Sequence, residues 1–224
     1  MRRIISLVRG LYPIVDVDSL RELGAPPRAV VAFAERVLLV RPALLQLRAK
    51  HLGARDTLEI LRALRPLCSE SGVRLIANDR PDLAVLGQCD GVHIGQEDLS
   101  LPLVRKLAPG LMVGVSTHNL EQLNAALAER PDYVAFGPVF ATASKERPDP
   151  SVGLALLAQA HAAAQRAGIP LVAIGGITLE RAPQVAQHAE LAAVIAALHP
   201  NHSSLEGVTE AAQALQLALG VPPT

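Results

Sequence analysis

Three long polar side chains occupy alternate positions in the stretch Gln46-Leu47-Arg48-Ala49-Lys50. Alternate residues of an extended segment share a face, so an amide and two cations point the same way. Turned into a protein interior, such a face is costly unless something anionic pairs with it. Two carboxylates follow. Asp79 ends the run Leu75-Ile76-Ala77-Asn78, and Asp98 lies just beyond His93-Ile94-Gly95-Gln96-Glu97. Both apolar runs read as strands, which brings the carboxylates to neighbouring strand ends. Such a pair suits Mg2+, which takes one or two carboxylates and completes its shell with water and phosphate oxygens. The other role open to each is a helix N-cap, Asp79 ahead of Pro81 and Asp98 ahead of Leu99–Leu107. Mg2+ with Arg and Lys nearby is equipment for holding a diphosphate.

Further along, Ser116 stands at a strand end where its hydroxyl can donate to an anion, while Thr117 or His118 reads as the cap of the next helix. The irregular stretch Pro138–Gly153 carries Thr142, Ser144 and Lys145. A loop of that length inside a compact domain is usually functional, and this one is placed to close over a ligand. The pair Gly175-Gly176 lets backbone approach a ligand closely and presents N–H groups to phosphate. The residues alone therefore describe two anion sites. One is a metal-assisted diphosphate site and the other a monophosphate site. Two phosphorylated ligands side by side imply group transfer with diphosphate leaving.

The elements that must position these groups follow from the apolar pattern. Short buried runs at Leu11–Asp16, Ala43–Arg48, Val73–Asn78, Gly91–Ile94, Met112–Ser116, Tyr133–Gly137, Leu171–Gly175 and Ala192–Ala197 read as parallel strands. Between them lie stretches of helical spacing, for example Thr57–Leu67 with Leu58, Leu61, Leu64 and Leu67 on one face. Ser71-Gly72 and Ala167-Gly168 end helices. Strands alternating with helices argue for an α/β fold. Polar residues recur at nearly every strand's C-terminal end, and an open sheet would gather them at a switch point. The expected fold is a single-domain eight-stranded parallel (β/α)8 TIM barrel over residues 1–224.

Composition sets bounds. The chain has 224 residues, with 21 basic and 21 acidic side chains and a formal net charge of +0. That balance, without a basic run, removes an electrostatic reason to expect nucleic acid or a membrane surface. No apolar run approaches the roughly 20 residues of a membrane helix. Cys68 and Cys89 form no disulfide framework or metal spacing, and a cytoplasmic protein is expected.

The motifs together resemble the thiamine phosphate synthase family. They are Leu11-Tyr12…Asp16, Gln46-Leu47-Arg48-Ala49-Lys50, Asn78-Asp79-Arg80-Pro81-Asp82-Leu83-Ala84, Asp90-Gly91-Val92-His93-Ile94-Gly95-Gln96-Glu97-Asp98, Gly114-Val115-Ser116-Thr117-His118, Gly137-Pro138-Val139-Phe140…Thr142…Lys145 and Ala173-Ile174-Gly175-Gly176-Ile177. That family joins 4-amino-2-methyl-5-hydroxymethylpyrimidine diphosphate to a thiazole phosphate, with Mg2+ required, and releases diphosphate by a dissociative mechanism. The resemblance implies that Asp79 and Asp98 bind Mg2+. It implies that Gln46, Arg48, Lys50, Asn78, Ser116 and Lys145 contact the pyrimidine diphosphate, with Tyr12 lining the pyrimidine pocket. Thr142 and Ser144 would sit by the thiazole, and Gly176 with the backbone of Ile195 and Ala196 would receive its phosphate. It also implies a homodimer. Two positions depart from the family pattern. His51 replaces an acidic residue, and Val194-Ile195-Ala196-Ala197-Leu198 lacks the serine of strand eight. Two other readings share the scaffold. One is a thiazole tautomerase using His118 as acid/base, and the other is a non-catalytic binder of thiamine precursors.

Overall fold

A computed structural model describes residues 9–142, 150–198 and 204–222. Eight parallel strands close into a barrel in chain order. They are β1 (Gly10–Asp16), β2 (Leu44–Arg48), β3 (Arg74–Asn78), β4 (Gly91–Ile94), β5 (Met112–Thr117), β6 (Tyr133–Phe136), β7 (Leu171–Ile174) and β8 (Leu191–Val194). Most strand residues are buried on both sides, β1 along its whole length, because one face fills the barrel and the other meets helices. Closure is direct, with Tyr12 in register with Ala193. The eighth strand is shorter than Ala192–Ala197 predicts. A short 3-10 turn over Ala196–Leu198 takes over, with Leu198 N–H bonded to Ile195 O.

The helices are α1 (Arg28–Leu38), α2 (Ala54–Ser71), α3 (Pro81–Leu86), α4 (Leu101–Leu107), α5 (Leu120–Glu129), α6 (Gly153–Ala167), α7 (Ala182–Val185) and α8 (Val208–Ala218). In α2 the buried stripe is Thr57, Ile60, Leu61, Leu64 and Cys68. Leu58 and Leu67 flank it, so the face is rotated from the one the leucine spacing predicts. Gly72 and Gly168 end α2 and α6 in the left-handed conformation, as a glycine just past a helix does.

Two ends of the barrel are built differently. At the N-terminal end, an acidic residue preceding an even strand accepts from an N–H of the odd strand beside it. Asp90 takes Leu75 N–H at 2.8 Å, Asp132 takes Val113 N–H at 2.9 Å, and Glu190 takes Leu171 N–H at 2.9 Å. A cationic or imidazole group from the helix preceding the odd strand closes each latch: Arg65 on Asp90, Arg105 on Asp132, His161 on Glu190. For β1 the acceptor is Gln216 of α8, 2.9 Å from Leu11 N. The C-terminal end carries the polar strand ends and loops.

Inside the barrel a second cluster of buried side chains comprises Tyr12, Ile14, Leu44, Ile76, Tyr133, Ala135, Val172, Leu191 and Ala193. Gly114 makes room for Tyr133. A Cβ at position 114 would lie 2.0 Å from the tyrosine Cζ.

Candidate functional site

At the C-terminal rim, register alone places Asp16 beside Arg48. Their side chains pair at 2.6 Å, largely out of solvent. The guanidinium is thereby oriented while its other N–H groups remain in hand. Lys50, two residues on, reaches Asp79 at 3.3 Å. The phase expected for residues 46, 48 and 50 therefore holds a graded set: Gln46 buried, Arg48 part-buried, Lys50 half exposed.

Asp79 follows β3 with a φ of 62°, held by a hydrogen bond from its N–H to His93 O at 2.8 Å. Few residue types adopt that left-handed conformation, Asp among them, and strain of this kind collects at working sites. Asp79 is not a helix cap, since Arg80 occupies that position for α3. Nor is Asp98, whose Oδ2 accepts from Gly95 N–H at 2.6 Å while Ser100 precedes α4. Freed from capping, the two carboxyl groups face each other. Burial pushes the Asp79 carboxyl up from its ordinary value, the Asp98 carboxylate in hydrogen-bond contact adds to that, and Lys50 opposes it. Two abutting carboxylates with one lysine are short of positive charge, which is the donor set a hard divalent cation fits. The protein supplies two carboxylates here, and among the described residues no group of three or more acidic, His or Cys side chains gathers for a metal. A cavity of about 180 Å³ lies between the ends of β2 and β3 and helices α2 and α3, lined by Leu47, Ala77, Thr57, Leu61 and Leu83 together with Lys50, Asn78 and Asp79.

Below this rim runs a buried polar chain. Gln46 Nε2 donates to Tyr12 Oη at 2.7 Å, and Tyr12 Oη meets Tyr133 Oη at 2.8 Å. Tyr133 Oη lies 3.2 Å from His93 Nδ1, and His93 Nε2 lies 2.7 Å from Ser116 Oγ. The rings pack as they bond: Tyr12 meets Tyr133 edge-on, and His93 stacks on Tyr133 at 5.6 Å between centroids. Burial raises both phenols well above their ordinary value, so they stay protonated. His93 and Tyr133 received no role from the sequence. The signal was present, because both share the inward phase of Ser116 and Gln46 across neighbouring strands.

On the opposite side of the mouth, Gly175 and Gly176 have φ of 101° and 61°. A Cβ on Gly176 would sit 2.4 Å from Ala141 O, so this turn is pressed against the β6–α6 loop. Phe140 N–H bonds Gly175 O at 3.1 Å. Arg181 ties the two loops together, donating to Gly176 O at 2.7 Å with its guanidinium 4.6 Å over the Phe140 ring. Ile195 is part-buried and Ala196 is exposed at the start of the 3-10 turn. Thr142 is the last described residue before the loop is described again from residue 150. Ser144 and Lys145 lie outside the described residues.

The capping role predicted for Thr117 or His118 belongs to Asn119, whose side chain accepts from Gln122 N–H at 2.9 Å. Thr117 instead donates to Ala135 O, and His118 Nδ1 engages Gly137 O at 2.6 Å. His51, the departure from the expected acid, pairs with Asp18 at 2.6 Å.

The rim thus offers a charge-rich half, on β2 to β5, and a glycine-lined half on the loops after β6 to β8. The first suits a polyanion and a metal, the second a smaller phosphate. Comparisons with known proteins point the same way. Residues 11–198 match the family described as thiamine monophosphate synthase. The thiamine-phosphate synthase of Methanocella arvoryzae is 39% identical over 208 residues, covering 92% of each chain. That of Koribacter versatilis is 44% identical over 196 residues, covering 84% of this chain and 88% of its own. Among solved structures, the thiamine phosphate pyrophosphorylase of Pyrococcus furiosus superposes with a TM-score of 0.80 at 29% identity, covering 96% of both chains.

Proposed function

The chain belongs to the thiamine monophosphate synthase family and has thiamine-phosphate synthase activity, and from that premise we propose how its own residues carry the reaction. The substrates are the hydroxymethylpyrimidine diphosphate and a thiazole phosphate. Asp79 and Asp98 hold Mg2+, which the family typically uses. The observation that carries this is the abutting carboxylate pair beside Lys50 at the barrel mouth. When bound, the ion would neutralise charge on the departing diphosphate.

Arg48, fixed by Asp16, and Lys50 face the same leaving group, joined by Ser116 and, from the loop, Lys145. Asn78 and Gln46 complete the pyrimidine side, with Tyr12 beneath the ring. As the carbon–oxygen bond breaks, the bonding pair goes to the diphosphate oxygen and a pyrimidinylmethyl cation remains. The thiazole nitrogen then supplies the electron pair for the new carbon–nitrogen bond. Fixed donors aimed at the leaving oxygen stabilise charge as it develops, and no protein nucleophile is required. Thr142, Ser144, Gly176 and the backbone of Ile195 and Ala196 hold the thiazole phosphate. Backbone N–H groups there stand in for the missing strand-eight hydroxyl. The tautomerase alternative rests on His118, whose ring engages Gly137 O; residues 48, 50, 79 and 98 weigh for transfer.

Residues 1–224 act as one barrel domain, working as a homodimer in the cytoplasm, where free thiols such as Cys68 and Cys89 persist. No helix among the described residues is long and apolar enough to cross a membrane. Incubation with both substrates and Mg2+, each omitted in turn, tests the reading. Thiamine phosphate and diphosphate should appear together in equal amounts only in the complete mixture. Diphosphate release without a Mg2+ requirement would remove the carboxylate pair from the mechanism.

A further inference from the structure

The polar chain inside the barrel has a direction, and the direction follows from counting hydrogens. Gln46 Nε2 can only donate, so Tyr12 Oη accepts from it. Tyr12 is buried, and its own hydroxyl hydrogen must find an acceptor. Among the described residues the acceptor within reach is Tyr133 Oη. That leaves the Tyr133 hydrogen to His93 Nδ1, which must then carry no proton. The ring hydrogen sits on Nε2 and goes to Ser116 Oγ. Were His93 to carry hydrogens on both nitrogens, Tyr133 would turn back on Tyr12 and strand a hydroxyl hydrogen in the core.

We infer that Gln46, Tyr12, Tyr133 and His93 form a one-way hydrogen-bond relay that holds His93 as its Nε2–H tautomer and makes the Ser116 hydroxyl a fixed donor to the ligand at the barrel mouth. Ser116 is part-buried at the end of β5. With its oxygen lone pair occupied by His93, its hydrogen is left for an acceptor on the pyrimidine diphosphate. Preorganised in this way, the donor needs no reorientation as charge develops. His93 and the tyrosines are positioning residues, and their effect rests on the placement of Ser116 beside that substrate proposed above. Burial holds both phenols in the protonated form, which keeps the relay's hydrogens in place at neutral pH.

The tautomer is readable without substrate. In 15N-labelled, ligand-free full-length protein, the His93 signals, assigned by their loss in His93→Gln, should show the neutral Nε2–H pattern. In Tyr133→Phe that pattern should give way to a tautomer mixture. An Nδ1–H or imidazolium pattern in the unmodified chain overturns the relay, whatever the activity. Kinetics supply a second reading. Tyr133→Phe should lower kcat about tenfold with KM for the thiazole phosphate unchanged. Combined with Ser116→Ala it should cost nothing beyond Ser116→Ala alone, because both act through one hydroxyl. Additive losses overturn the relay. Failure of the unmodified chain to form thiamine phosphate would sink the functional reading, yet the tautomer spectrum would still decide this one.

Discussion

Asp79 combines a strained backbone with a crowded carboxylate, and the two need separate tests. Alanine at a φ of 62° adds strain of its own, whereas asparagine keeps the conformation and removes only the charge. Asp79→Asn should cut Mg2+-dependent diphosphate release by more than about 100-fold. Its metal-free melting temperature should not fall, since a buried carboxylate facing another carboxylate is relieved rather than lost. Turnover near that of the unmodified chain would refute the metal assignment. The cysteines give a test of burial. Burial pushes the Cys68 and Cys89 thiols from 9.0 up to about 12. Native protein at pH 8 should therefore leave both unreactive toward a thiol reagent until it unfolds. The linkage sign follows: between pH 9 and about 12 the unfolded chain loses thiol protons that the folded chain keeps. Stability should fall as pH rises through that window, and replacing both cysteines by alanine should flatten that part of the slope in urea titrations. Residue types were legible here but partnerships were not. Nothing in the sequence pairs Arg48 with Asp16, because that contact is made by strand register and not by spacing along the chain.

Elements explain why some expectations held and others moved. Strands and helix-ending glycines were readable because burial and backbone conformation act locally. Boundaries drifted where tertiary contacts decided them, as in β8, where apolar residues continue but the ladder stops. The cap of α5 fell on Asn119 because Thr117 and His118 had been drawn to Ala135 and Gly137. Two substitutions probe the elements. Asp132→Ala removes the acceptor of Val113 N–H and should cost about 2 kcal/mol in urea unfolding, the price of an unsatisfied buried donor, with kcat unaffected. Gly114→Ala drives a methyl into the Tyr133 ring. About 1–3 kcal/mol of stability should go with it, and kcat should fall as the relay is displaced. A fully active, fully stable Gly114→Ala chain would mean that the ring has another place to sit.

For the whole molecule, eightfold closure was visible in the alternation of strands and helices, and the convergence of scattered polar stretches on one rim followed from it. The exposed apolar surface was not visible, since exposure depends on which helices the barrel leaves uncovered. Val85 and Leu86 of α3 with Leu99, Leu103 and Leu107 on and before α4 stand about half exposed. We propose that patch as the contact face of a homodimer, with about 800 Å² covered on each copy. Leu103→Glu should halve the mass measured by sedimentation while leaving the fold intact. An unchanged dimer would move the contact elsewhere. The acid latches beneath β3, β5 and β7 lie at the pole opposite the reacting groups. Hardiness and chemistry are thus housed apart, and an enzyme engineer can reinforce the foot of this barrel for heat without retuning what happens at its mouth.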